Sequence, residues 1–296
     1  MLTSETDCLS QDHWQSLARA HREEVRKWTV PYRRRKASHQ PHPVLDFLFT
    51  YYPFSLGKLE QWHAGFGIKL EIKGSQHAPF QSRRYQCHDH FITLACETLS
   101  DKEIKRIHWI HNLLCLSQKR TPNFACHGLH EWAMVYQGHD IRHRGSTTLR
   151  LPQEQIDHLV SSRTITCSHF DAYRFFSPSA IEFNKLSPTL NSRQEHEQCG
   201  CLHTNMDLYK WASKCMPWVG SDLHWQCFQL ALEARELDMR ASPYDLSAYG
   251  YEPVTIETRE GRAEYESLQR EISLQSEPLR QRIIDTLSQV IEAMTR

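Results

Sequence analysis

Between Ser100 and Arg120 the chain reads SDKEIKRIHWIHNLLCLSQKR, a stretch that narrows the fold more than any other. Apolar residues at 104, 107, 110, 113 and 114 repeat at the spacing of one helix face. Ser100 is placed to cap the helix, Glu103 completes a capping box, and the basic residues gather where the helix dipole favours them. The same period returns in SDLHWQCFQLALEARELDMRAS, 221–242, where Leu223, Cys227, Leu230, Ala231, Ala234 and Leu237 share a face. Residues 10–28 give a third helix, with Ser10 available as N-cap and Trp14, Leu17 and Val25 turned inward. EGRAEYESLQREI and EPLRQRIIDTLSQVIEAMTR read as two more, separated before Pro278.

Other stretches are less regular. TVPYRRRKASHQPHP, 29–43, holds three prolines and a basic cluster and reads as an exposed strap, whereas VLDFLFTYY, 44–52, is a buried helix or strand. IKLEI, 68–72, alternates like a short strand. No repeat of 20 to 50 residues is present, which argues against a solenoid. The expectation is a mainly α protein, a single irregular helical domain over 1–296 with at most a few short strands. Residues 1–43 supply the N-terminal helix and strap, 44–260 the core and site, and 261–296 the C-terminal helices.

Composition removes several function classes. Thirty-five basic residues against 35 acidic ones leave no long-range field to draw the whole molecule to nucleic acid or anionic lipid. No run approaches eighteen uncharged apolar residues, so no membrane span is expected. The opening MLTSETDCLSQDHW lacks the basic and apolar regions of a signal peptide, which points to the cytoplasm and to reduced thiols. Cys199-Gly-Cys201 has the wrong gap, and no second pair, for a zinc knuckle.

Nineteen histidines exceed what solubility needs, and several sit beside acids within runs of aromatics. CHGLHEWAMVY offers His130 and Glu131; CSHFDAYRFF offers His169, Asp171 and Arg174; CLHTNMDLYKW offers His203 and Asp207, one turn apart if helical; ELDMRASPYDL offers Asp238, Arg240, Tyr244 and Asp245. Each residue alone has a bland reading, a histidine on a carbonyl or an aspartate capping a helix. All four segments together carry more buried acid and base than stability rewards, because a buried charge without a partner costs several kcal/mol.

Two chemistries fit. His130, His169, His203 and Asp207 could bind a divalent metal, iron, zinc or manganese, for hydrolysis or oxygenation of a small molecule, although no spacing matches H-E-x-x-H. Alternatively, without a cofactor, a carboxylate acts beside a pocket in which Trp132 and Tyr136 stack on a flat ring. Arg174, Asn205, Lys210, Arg240 and Tyr244 then hold the substrate.

The blocks HPVLDFLFTYY, GLHEWAMVY, CSHFDAYRFF, CLHTNMDLYKW and ELDMRASPYDL resemble a family of bacterial proteins catalogued as 3-methyladenine DNA glycosylases, over about residues 10 to 275. That resemblance implies removal of alkylated purines from damaged DNA, with a flipped base stacked on aromatics and a carboxylate supporting cleavage. Asp238 follows Pro217 and Gly220 roughly as the acid follows a helix-hairpin-helix motif, with Glu131 and Asp171 as rivals. The chain departs from the motif in placing Trp218 at its first glycine and in running unbroken helix through QLALEARELDM. DNA contact would also need cations, for which RKWTVPYRRRK, 26–36, is the dense cluster.

Overall fold

Helices dominate, as the apolar periods require. The structure, a computed structural model, describes residues 8–73, 80, 82–139 and 147–295. In chain order the elements are β1 Cys8–Leu9, α1 Gln11–Ala37, α2 Phe47–Tyr51, α3 Leu56–Glu60, β2 Lys69–Glu71, β3 Tyr85–Cys87 and β4 Phe91–Leu94. There follow α4 Asp101–Lys119, α5 Leu129–Met134, α6 Gln153–Ser161, α7 Phe170–Tyr173, α8 Arg193–His196, α9 Leu202–Lys214, α10 Ser221–Arg240 and α11 Arg259–Met294. The four strands form one small sheet in the order β1-β2-β4-β3, with β1 parallel to β2 and the other pairs antiparallel.

The centre is a layer in which α9 and α10 pack side by side and α11 crosses both before reaching α4. Ala231 and Ala234 on α10 are buried without bulk, so neighbouring helices come close, while Phe228, Leu230 and Leu237 fill the remaining space. The sheet sits at the periphery over a second, smaller core of Trp14, Leu70, Ile72, Phe80 and Ile92. The indole of Trp14 donates to the Glu71 carbonyl at 2.8 Å and pins α1 to β2.

The capped helix over 101–119 forms with its Ser100–Glu103 box, and IKLEI yields β2. Two proline signals misled. Helix α1 does not stop at Trp28 but runs through Pro31 to Ala37, so the expected strap is largely helix. Likewise α11 is continuous through Pro278. In each case a proline removes one backbone hydrogen bond, but the flanking turns are anchored by buried side chains, Val25 and Tyr32 in α1, Leu279 and Ile283 in α11. Packing outweighs the local cost.

Candidate functional site

His130 enters the core through an abrupt turn. His127 and Gly128 both have positive φ, 46° and 70°, and α5 starts immediately after them. The fully buried Trp132 donates its indole N–H to the Ala241 carbonyl at 2.8 Å, tying α5 to the end of α10. That bond sets His130 against Asp238, one turn before Ala241. His203 comes from the first turn of α9, with its ring 4.4 Å from that of His130 and nearly perpendicular to it.

His130, His203 and Asp238 thus converge, with ligand-type atoms all within 4.8 Å of one another. His130 Nε2 lies 3.0 Å from Asp238 Oδ1, and His203 Nε2 lies 3.8 Å from Asp238 Oδ2. His130 is 2% exposed and Asp238 0%. The two form a buried ion pair: burial opposes the charged His130 imidazole, but Asp238, with Cys126 and Glu131 nearby, holds it well above its usual range. Burial, reinforced by the neighbouring His130, His169 and Arg235, pushes the His203 imidazole down to about 3 against the pull of Asp238, so it is neutral at pH 7. On Asp238, burial works to raise the pKa, but His130, His203 and Arg235 outweigh it and keep the carboxyl well below the usual range.

A second group lies beside the first. His169, at the N-cap of α7, donates through Nε2 to Asp207 Oδ2 at 3.1 Å, and its ring stacks 5.5 Å from His203. His169, Asp171 and Asp207 also bring ligand-type atoms within 4.8 Å of one another. Here, however, a cation is built in: Lys210 Nζ stands 2.9 Å from Asp171 and 2.6 Å from Asp207. Arg193 pairs with Asp171 and, at 3.0 Å, with Glu197, and the Tyr52 hydroxyl donates to Asp207 at 2.6 Å. Asp171 is held at about 2, since Lys210 and Arg193 overcome the burial that opposes them.

A cleft of about 300 Å³ reaches His203 of the first group and Asp171 of the second. Phe47, Tyr51, Phe175 and Tyr244 supply aromatic walls, and His203, Glu131, Arg235 and Asp171 supply the polar ones. Arg235 bonds Asp238 at 2.7 Å and Glu131 at 3.3 Å, with its guanidinium 3.8 Å above the Phe47 ring.

The four histidine and aspartate segments therefore meet, but not as one set. The expected metal quartet of His130, His169, His203 and Asp207 is divided: His203 joins His130, while Asp207, one turn along α9, joins His169 and Lys210. Trp132 and Tyr136 are core residues rather than stacking platforms, the first tied to Ala241 and the second edge-on to Phe183. Lys210 is spent on two carboxylates. Asn205 is buried between the Cys199 carbonyl, Ser276 and Arg280. Arg240 bonds the Glu252 carbonyl and stands near Glu236 and Glu264. Glu131, Asp171 and Tyr244 do line the cleft, and Arg174 lies over the Phe175 ring.

Sequence reasoning missed Arg235, Arg193, Glu197 and Tyr52. A signal existed for three of them, since Arg235 precedes Asp238 by three positions and Arg193 precedes Glu197 by four. The hairpin between α9 and α10 is also internally satisfied. The amides of Val219, Gly220 and Ser221 bond Cys215, Pro217 and His63, and a Cβ on Gly220 would meet the Ala64 carbonyl at 2.8 Å. In comparisons with known proteins, no family model, no curated protein and no solved structure matches the chain.

Proposed function

We propose that the protein is a metal-dependent enzyme in which His130, His203 and Asp238 hold one divalent transition-metal ion beside the aromatic cleft. One observation carries this reading: the ligand-type atoms of His130, His203 and Asp238 all lie within 4.8 Å of one another, with His130 and Asp238 buried. A buried imidazole–carboxylate pair is costly to desolvate, and a shared cation in place of the proton between them would satisfy both groups. Two imidazoles and a carboxylate leave coordination positions open for substrate and water, a donor set that suits iron as well as zinc. A bound ion would polarise a substrate oxygen or lower the pKa of a bound water. Arg235, in the cleft wall, donates to Asp238 Oδ2 at 2.7 Å and orients that carboxylate, the role outer partners take in metal sites.

Elemental analysis tests the proposal. Protein dialysed against iron(II), zinc or manganese and then desalted should retain about one equivalent of one of them. His203→Ala and His130→Ala should lose it, whereas His169→Ala should keep it, because Lys210 already serves the second group. Equal loss in His169→Ala would move the site, and wild-type protein that retains no metal would end the reading. Release of 3-methyladenine from alkylated DNA in excess chelator would establish the glycosylase chemistry instead.

A further inference from the structure

The cleft beside the proposed metal has features that select its occupant. Around it, Asp171, Asp207, Asp238 and Glu131 are matched in number by Lys210, Arg193, Arg174 and Arg235. Burial pushes the fifth acid, Glu197, upward toward its neutral form. With Arg174 screened by water and Glu197 neutral, a divalent ion therefore leaves positive charge that the buried walls do not cancel. Beside a buried metal such an excess favours an anionic ligand.

A donor is also in reserve. Arg235 is 3% exposed and lines the cleft, yet its hydrogen bonds to Asp238 and Glu131 both run through Nη1. Its Nε has no partner among the described residues but is itself buried, so the cleft meets the remaining part of the guanidinium. A guanidinium keeps its planar fork for oxyanions, so an arginine so incompletely used beside a metal fits a carboxylate shared between the two. The remaining walls are flat. Phe47 and Tyr51 stack 5.0 Å apart and 10° from parallel, and Phe175 is backed by the Arg174 guanidinium at 4.3 Å. A volume of about 300 Å³ admits one ring or two fused rings and little more.

Resting on the metal reading above, we infer that the substrate is a small aromatic acid, with its ring between Phe47, Tyr51 and Phe175 and its carboxylate on the metal and Arg235. The probes are benzoate, benzyl alcohol, benzylamine and acetate, titrated calorimetrically and by thermal shift into zinc-loaded protein whose zinc content has first been measured. Benzoate should raise Tm and bind at least tenfold tighter than benzyl alcohol, benzylamine or acetate, and chelation should remove that preference. Phe175→Ala should weaken benzoate about tenfold while leaving acetate and zinc content unchanged. Arg235→Lys should weaken benzoate and acetate alike, and its zinc content separates a lost ligand contact from a lost metal. Preference for benzylamine, or benzoate binding that is equal with and without zinc, overturns the aromatic acid and leaves the metal standing. Protein that takes up no zinc, iron or manganese overturns both.

Discussion

At the scale of single residues, the site is a problem in matching buried charges. Lys210 is the clearest case, because its ammonium lies between Asp171 and Asp207 with the Trp211 ring 4.5 Å away. Lys210→Met would leave two adjacent carboxylates underneutralised, an arrangement that typically costs about 3–5 kcal/mol. Urea denaturation should show that loss, and adding Asp171→Asn should restore part of it; a Lys210→Met protein of wild-type stability would remove the idea that the ammonium closes this group. The residue types of both clusters were legible in the sequence, since imidazoles and acids set among aromatics must be satisfied somehow. Their partnership was not. His130 meets Asp238 across more than a hundred positions, and whether His203 and Asp207 face one ion or two neighbourhoods is decided by what α5 and α7 bring against α9. Trp132 shows the converse failure: composition cannot tell a ring that walls a pocket from one whose N–H is spent on a carbonyl.

Elements carry a different kind of information. Helix α4 was readable to its ends because its cap is local, with Glu103 accepting from Ser100 and bonding Arg83 at 2.8 Å. Burial works to raise the Glu103 pKa, but Ser100 and Arg84 prevail and lower it to about 2 from an ordinary value of 4.5. A lowered folded-state pKa stabilises above the unfolded value and loses that contribution as pH falls through the folded one. Glu103→Gln should therefore cost roughly 1–2 kcal/mol at pH 7. The gap in Tm from wild type should shrink between pH 4.5 and 2, and a gap independent of pH would assign the cost to packing instead. Helices α1 and α11 were legible as helices but not in extent, because a proline penalty is local while the burial that overrides it is tertiary. Pro278→Ala should accordingly raise stability by about 1–3 kcal/mol, read as a higher urea midpoint.

For the whole molecule, the mainly α architecture followed from periodicity, and the described residues contain no helix long and apolar enough to cross a membrane. Balanced charge extends to the cluster that suggested DNA contact: Arg33 pairs with Glu60 at 2.6 Å, and Arg35 bonds Asp46 at 2.9 Å. Those two guanidiniums serve the fold. Reversing the exposed Arg34 and Lys36 should leave duplex binding and its salt dependence unchanged, measured by fluorescence anisotropy across a salt series; a steep dependence abolished by the reversal would restore the basic end of α1 as a nucleic-acid contact. One turn of α9 separates His203 from Asp207, and that single rod is thus a crossbar fixed at two mounts. A shift of it along its axis would move a member of each cluster at once.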